Sequence, residues 1–154
     1  MFEQPKERPS FAVKIIALWT VFLLGTIFHT QLALIPLFHG LSVLAPHGQV
    51  ATDISEISAI LWLMLAFFTI PLLAIIGTCL LDSRRFRLGH FWVTVIYSVL
   101  NLAHLVVDLT IPPIAWYQIA LMAVLFLVGL VLNRVAYQWA KETHGHRHRL
   151  QSAH

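Results

Sequence analysis

"ISAILWLMLAFFTIPLLAIIGTCLL", Ile57–Leu81, runs for 25 residues without a charged side chain. Water does not stabilise such a stretch, whereas a helix needs roughly 20 predominantly apolar residues to cross a bilayer. Strand and helix are hard to separate by periodicity in a continuous apolar run. Length separates them, because the strand of a membrane barrel needs only about 10 residues.

Three further runs of this kind flank it, at Phe11–Phe38, Leu88–Thr110 and Ile114–Tyr137. The 154-residue chain is 58% hydrophobic and 11% charged, against about 25% charged in a typical soluble domain. The expected fold class is an all-α integral membrane protein, a four-transmembrane-helix up-down bundle. Residues 1–10 form a polar N-terminal segment, 11–140 the four-helix domain, and 141–154 a basic, His-rich tail. The apolar run after Ser10 is too long for a signal-peptide core, so the first helix is read as retained.

The breaks between runs have local causes. Pro36 and Gly40 are expected to end the first helix, and Pro112 and Pro113 to part the third from the fourth. "LDSRRFRLGH", Leu81–His90, reads as a charged hairpin between the second and third. Pro71 lies inside the second span, where membrane helices tolerate proline.

Every Lys and Arg falls at one end of the bundle: Lys6, Arg8 and Lys14, then Arg84, Arg85 and Arg87, then Arg134, Lys141, Arg147 and Arg149. The other connections, His39–Glu56 and Ile111–Pro113, contain none. The positive-inside rule then places both termini in the cytoplasm, with a bacterial inner membrane the expected location. The sequence pI near 9.4 reports topology and attraction to anionic lipid. Nucleic acid is not an expected partner, since no folded basic domain presents these charges. Cys79 is the only cysteine, so neither a disulfide nor a thiolate cluster forms within one chain.

In lipid the rare ionisable side chain is the informative one. His29 and His104 fall at similar depth on helices one and three, which occupy diagonal corners of an up-down bundle. Cofactor sites in bundles are built from such inward-facing pairs. The leading expectation is a b-type haem and/or quinone site between helices one and three, with both histidines as axial ligands and Asp108 in a polar or proton-handling shell. Gly25 would make room for a porphyrin edge, and Asn101 lies one turn before His104. Electrons would then pass between a quinone and a partner, in a homo-oligomer or as a subunit of a larger complex. An alternative is a non-haem transition-metal site of His29, His104, Asp108, His39 and His47, imidazole and carboxylate being ligands for zinc, copper or iron. Another is a cofactor-free accessory or assembly subunit. Four helices lack the two-fold repeat usual in transporters. No soluble catalytic motif occurs, and whether the protein is an enzyme is left open.

Two local resemblances accompany these readings. His90 and His104, fourteen residues apart, resemble the paired ligands of cytochrome b proteins. No matching second histidine lies near Lys14–Ile16, so the pattern supports one haem at most. "YSVLNLAHLVVDL", Tyr97–Leu109, resembles the membrane-anchor motif of succinate dehydrogenase at "HLVVD". It departs at Tyr97, Asn101 and Ala103, and assigns no family.

Other polar groups have structural readings. Asp53 and Glu56 in "ATDISEIS" suit a capping box. His39 and His47 suit a loop and rim, and "HGHRHR" suits a solvated tail. Trp92, Trp116 and Trp139 sit nearest the span ends, where interfacial anchors belong.

Overall fold

The computed structural model describes residues 9–43 and 50–142. They form α1 (Phe11–Phe38), a 3-10 turn (Ile54–Ile57), α2 (Ser58–Leu80), α3 (Arg84–Asp108) and α4 (Trp116–Lys141), with no strand among them. All four α-helices are long and apolar enough to cross a membrane. At 1.5 Å per residue, even the 23 residues of α2 extend about 35 Å, past a hydrocarbon core about 30 Å thick.

Helix ends follow the local chemistry. Ser10 caps α1 by accepting from the Val13 N–H at 3.4 Å. At its far end Pro36 is accommodated inside the last turn. Termination falls to Gly40 at φ +73°. The Leu41 N–H reaches the Pro36 carbonyl at 3.0 Å and the Gly40 N–H reaches that of Leu37 at 3.1 Å. That is the Schellman arrangement, which places a glycine at the left-handed residue.

The charged hairpin expected at Leu81–His90 is shorter than its composition suggests. Ser83 caps a helix that starts at Arg84, its Oγ accepting from the Phe86 N–H at 3.2 Å. Arg84, Arg85 and Arg87 therefore lie in the opening turn of α3, where positive charge opposes the helix dipole. Arg87 compensates by being consumed in a clamp. It donates from Nε to Asp82 at 3.0 Å and from a terminal nitrogen to the carbonyls of Trp139 (3.2 Å) and Glu142 (3.0 Å). It thus adds a donor to the carbonyls at the end of α4, where the Trp139 carbonyl also accepts from the Glu142 N–H at 3.2 Å. Arg87→Ala is expected to destabilise the bundle by about 1.5–3 kcal/mol, the range for hydrogen bonds to a charged group. Thermal unfolding in detergent, followed by circular dichroism, measures this; an unchanged midpoint would refute the clamp.

The capping box before α2 is displaced by one residue. Asp53 accepts from the Ser55 N–H at 2.8 Å, but Glu56 turns back to Thr52, reaching its hydroxyl at 2.8 Å and its N–H at 3.3 Å. Hydrogen bonds from Ser55 hold the Asp53 carboxyl below its ordinary range. Their support of this turn is present above the ordinary pKa and is lost as pH falls through the lowered one.

α4 packs along both α1 and α3, and α2 lies more lightly against α1. The core is Ile15, Trp19 and Phe22 of α1, Tyr97 of α3, and Met122, Leu125, Leu132 and Trp139 of α4. α2 contributes none of these. Only Pro71, Gly77 and Thr78 of that helix are buried. So lightly packed an apolar helix is consistent with a lipid environment, where apolar side chains have no water to escape and packing alone drives association. Trp19 and Trp139 are core residues, so of the tryptophans near span ends only Trp92 and Trp116, both exposed, suit an anchoring role.

Candidate metal centre

α3 reverses the pattern of a soluble amphipathic helix, in which the polar face meets solvent. Its buried residues are Arg87, His90, Thr94, Tyr97, Ser98 and Asn101. Leu88, Trp92, Ile96, Val99, Leu102 and Val106 point outward. The buried set recurs every three or four residues, so one face of α3 carries polar groups through the bundle interior.

His90, at the end of this stripe nearer the start of α1 and the end of α4, is fully engaged. Trp19 Nε1 donates to His90 Nε2 at 3.0 Å. That leaves the proton on Nδ1, which lies 3.4 Å from the Thr78 hydroxyl. One ring thereby links α1, α3 and α2, and neither of its nitrogens is free for a metal. Midway, Asn133 of α4 donates to Ser98 Oγ at 2.9 Å, beside Gly129, where an added Cβ would meet that oxygen. Sequence reading missed both junctions. The signal available was the three-and-four spacing of polar residues along α3.

The opposite end of the stripe brings together His29, His104 and Asp108. The two imidazoles stand edge to face with centroids 5.4 Å apart, which realises the expected match of depth. Asp108 is four residues beyond His104 and shares its face. Its Oδ2 lies 3.5 Å from His29 Nε2 and 3.6 Å from His104 Nε2. One ligand atom from each of the three residues falls within a 4.8 Å span.

Burial is graded across the cluster. The His29 side chain is 10% exposed, that of Asp108 18% and that of His104 54%. A recess of about 150 Å³, lined by Asp108, Ile111, Pro113, Ala115 and Gln118, opens beside the carboxylate. The site therefore has a closed side at α1 and an open side at the loops.

Its polar atoms are not satisfied by one another. His29 Nε2 and Asp108 Oδ2 are buried without a hydrogen-bond partner, and 3.5 Å exceeds the 2.7–3.2 Å typical of N–H···O bonds. Electrostatics at this end favour a cation. Asp108 is the last residue of α3, where the helix dipole is negative. Neither α1 nor α3 carries a basic residue in its last turn.

Of the other residues singled out from sequence, Gly25 has its space filled by the Leu125 side chain, which an added Cβ would strike. Asn101 is buried, its Nδ2 3.9 Å from Met122 Sδ and its Oδ1 unpartnered. His39 is the exposed C-cap of α1 and does not join the His29 cluster. His47 and the His-rich tail beyond Glu142 lie outside the described residues.

Comparisons with protein-family models, with curated proteins and with solved structures find no match for this chain. The site's chemistry is therefore read from its own donors. Two imidazoles and one carboxylate make the donor set of catalytic zinc sites and of non-haem iron centres, which leave coordination positions open for water or substrate.

Proposed function

We propose that this protein is an integral membrane metal-binding protein that holds a transition-metal ion between α1 and α3 through His29, His104 and Asp108. The observation that carries the reading is the convergence of three donors on one point with two of their atoms buried and unpartnered. Zinc binds nitrogen and oxygen at about 2.0–2.2 Å, so donors around a tetrahedral ion stand about 3.3–3.6 Å apart. The two nitrogen–oxygen separations, 3.5 and 3.6 Å, match that spacing. An ion would also neutralise a carboxylate that is expensive to keep in an apolar bundle.

A small ion fits these surroundings better than a porphyrin. Both Nε2 atoms turn toward one carboxylate oxygen, the rings are 5.4 Å apart, and Leu125 fills the space above Gly25. The exposed face of His104 and the recess beside Asp108 give the ion an entry side and room for an exchangeable ligand. Uptake, delivery or Lewis-acid chemistry would all take place at that open face.

The test is to purify the chain in mild detergent and measure metal content together with visible spectra, oxidised and dithionite-reduced. The expected result is stoichiometric transition metal, or uptake of added Co²⁺ with the intense visible bands of a low-symmetry site, and no Soret band. Protein that neither retains metal nor takes up Co²⁺ or Zn²⁺ would sink the proposal. A Soret band that sharpens and shifts on reduction would instead assign the two histidines to haem.

A further inference from the structure

The other end of the bundle carries a separate feature. A groove of about 630 Å³ lies between the opening turns of α3 and the closing turns of α4. Its wall is apolar and aromatic, from Leu88, Phe91, Trp92 and Tyr137, and Arg84 and Lys141 also line it. We propose that this groove binds an anionic phospholipid, the phosphate held between Arg84 and Lys141 and the upper acyl chain laid along the aromatic wall.

Charge complementarity commits the site to that occupant. Arg87 also lines the groove, but its guanidinium is taken up by Asp82 and by the α4 carbonyls. Glu142 faces Arg87 at 3.7 Å. Arg84 and Lys141 have no ion pair among the described residues, and the Lys141 ammonium lies 4.4 Å from the centre of the Tyr137 ring. The opening turn of α3 adds the positive end of its dipole. The groove thus combines an apolar floor with two cations that have no ion pair among the described residues.

The floor continues into surface of the kind that meets lipid. Leu88, Trp92 and Tyr137 are all exposed, and tryptophan and tyrosine concentrate at headgroup depth. A soluble phosphate would use the cations and leave the aromatic wall bare. A zwitterionic lipid would use the wall and leave the cations unmatched. Only a lipid with net negative charge uses both. Basic recesses between membrane helices take such headgroups, each Lys or Arg near an anionic surface contributing about fivefold in affinity. This site shares no residue with the metal centre and does not depend on it.

The experiment uses the full chain, delipidated in mild detergent and titrated with phosphatidylglycerol, phosphatidylcholine or inorganic phosphate. Native mass spectrometry reads lipid adducts, and thermal unfolding reads protection. Wild type is expected to bind and be protected by phosphatidylglycerol in preference to phosphatidylcholine, with no protection by inorganic phosphate. The R84Q/K141Q variant should lose roughly 30-fold in phosphatidylglycerol affinity, two cations' worth, and fall to the phosphatidylcholine level. The matched variant K14Q/R85Q, which removes two cations outside the groove, should keep the preference. Each single variant, R84Q or K141Q, should lose about fivefold and decides the matter if the double variant does not fold. Equal response to the two lipids, protection by phosphate alone, or equal loss in K14Q/R85Q would each overturn the proposal.

Discussion

His29→Ala is expected to lower metal affinity by more than about 100-fold, above the 10–100-fold that loss of an outer-shell partner costs. His29 is the closed wall of the site: its side chain is 10% exposed and its Nε2 has no other partner. Its removal leaves two donors, both on α3, and breaks the bridge to α1. His104→Ala and Asp108→Asn should weaken binding comparably, whereas His39→Ala should leave it unchanged. A ligand that binds only the folded state stabilises it by about 2.7 kcal/mol at 100 times its dissociation constant. Added Zn²⁺ should therefore raise the unfolding midpoint of wild type and of His39→Ala, and fail to raise it in the three ligand variants. A merely structural role for the cluster predicts a lower midpoint in the variants with no zinc response in any protein. That pattern would count against the metal centre.

The second large effect lies in the packing. Trp19→Ala should destabilise the bundle by about 3–5 kcal/mol, the range for deleting a buried aromatic side chain. Trp19 is fully buried, sits edge-on to Phe22 and Tyr97 at centroid distances of 5.8 and 5.3 Å, and donates to His90 at 3.0 Å. The substitution leaves a cavity at the centre of the core, and His90 Nε2 loses its donor. Trp62, 68% exposed on α2, makes the contrast: Trp62→Ala should change stability by less than about 0.5 kcal/mol, as for other surface positions. Unfolding free energies of the two variants in the same detergent check this, and equal losses would mean that Trp19 is not at the centre of the core.

Much of the fold was legible because lipid-scale apolar runs have few competing explanations. The bounds of α1 agree with the apolar run from Phe11 to Phe38. The discrepancies are local and each has a cause. α3 begins at Arg84 rather than near Leu88 because the Ser83 cap and the Arg87 clamp draw three arginines into a helix that composition alone assigns to a loop. α4 continues to Lys141, past Tyr137, because its last turns pack Trp139 against Phe86 and His90.

The candidate site divides the same way. Helical rise along α1 and α3 was enough to bring His29 and His104 to one depth, and the four-residue step was enough to set Asp108 on the face of His104. Whether the rings leave a slot for a macrocycle or close on a carboxylate is a matter of interhelical distance, which no spacing along one chain encodes. That distance follows from how α1 and α3 both pack on α4, with Leu125 filling the space at Gly25. Trp19 shows the same limit: a tryptophan in a span reads alike whether it faces lipid or core, because both are apolar. The sequence by itself determined four apolar helices and the depth of each polar group along them, since these are one-dimensional consequences of hydrophobicity and helical rise. Tertiary packing alone decided which polar groups meet, because helices that are apolar nearly all round carry no one-dimensional signal for which face turns inward, and the choice falls to shape.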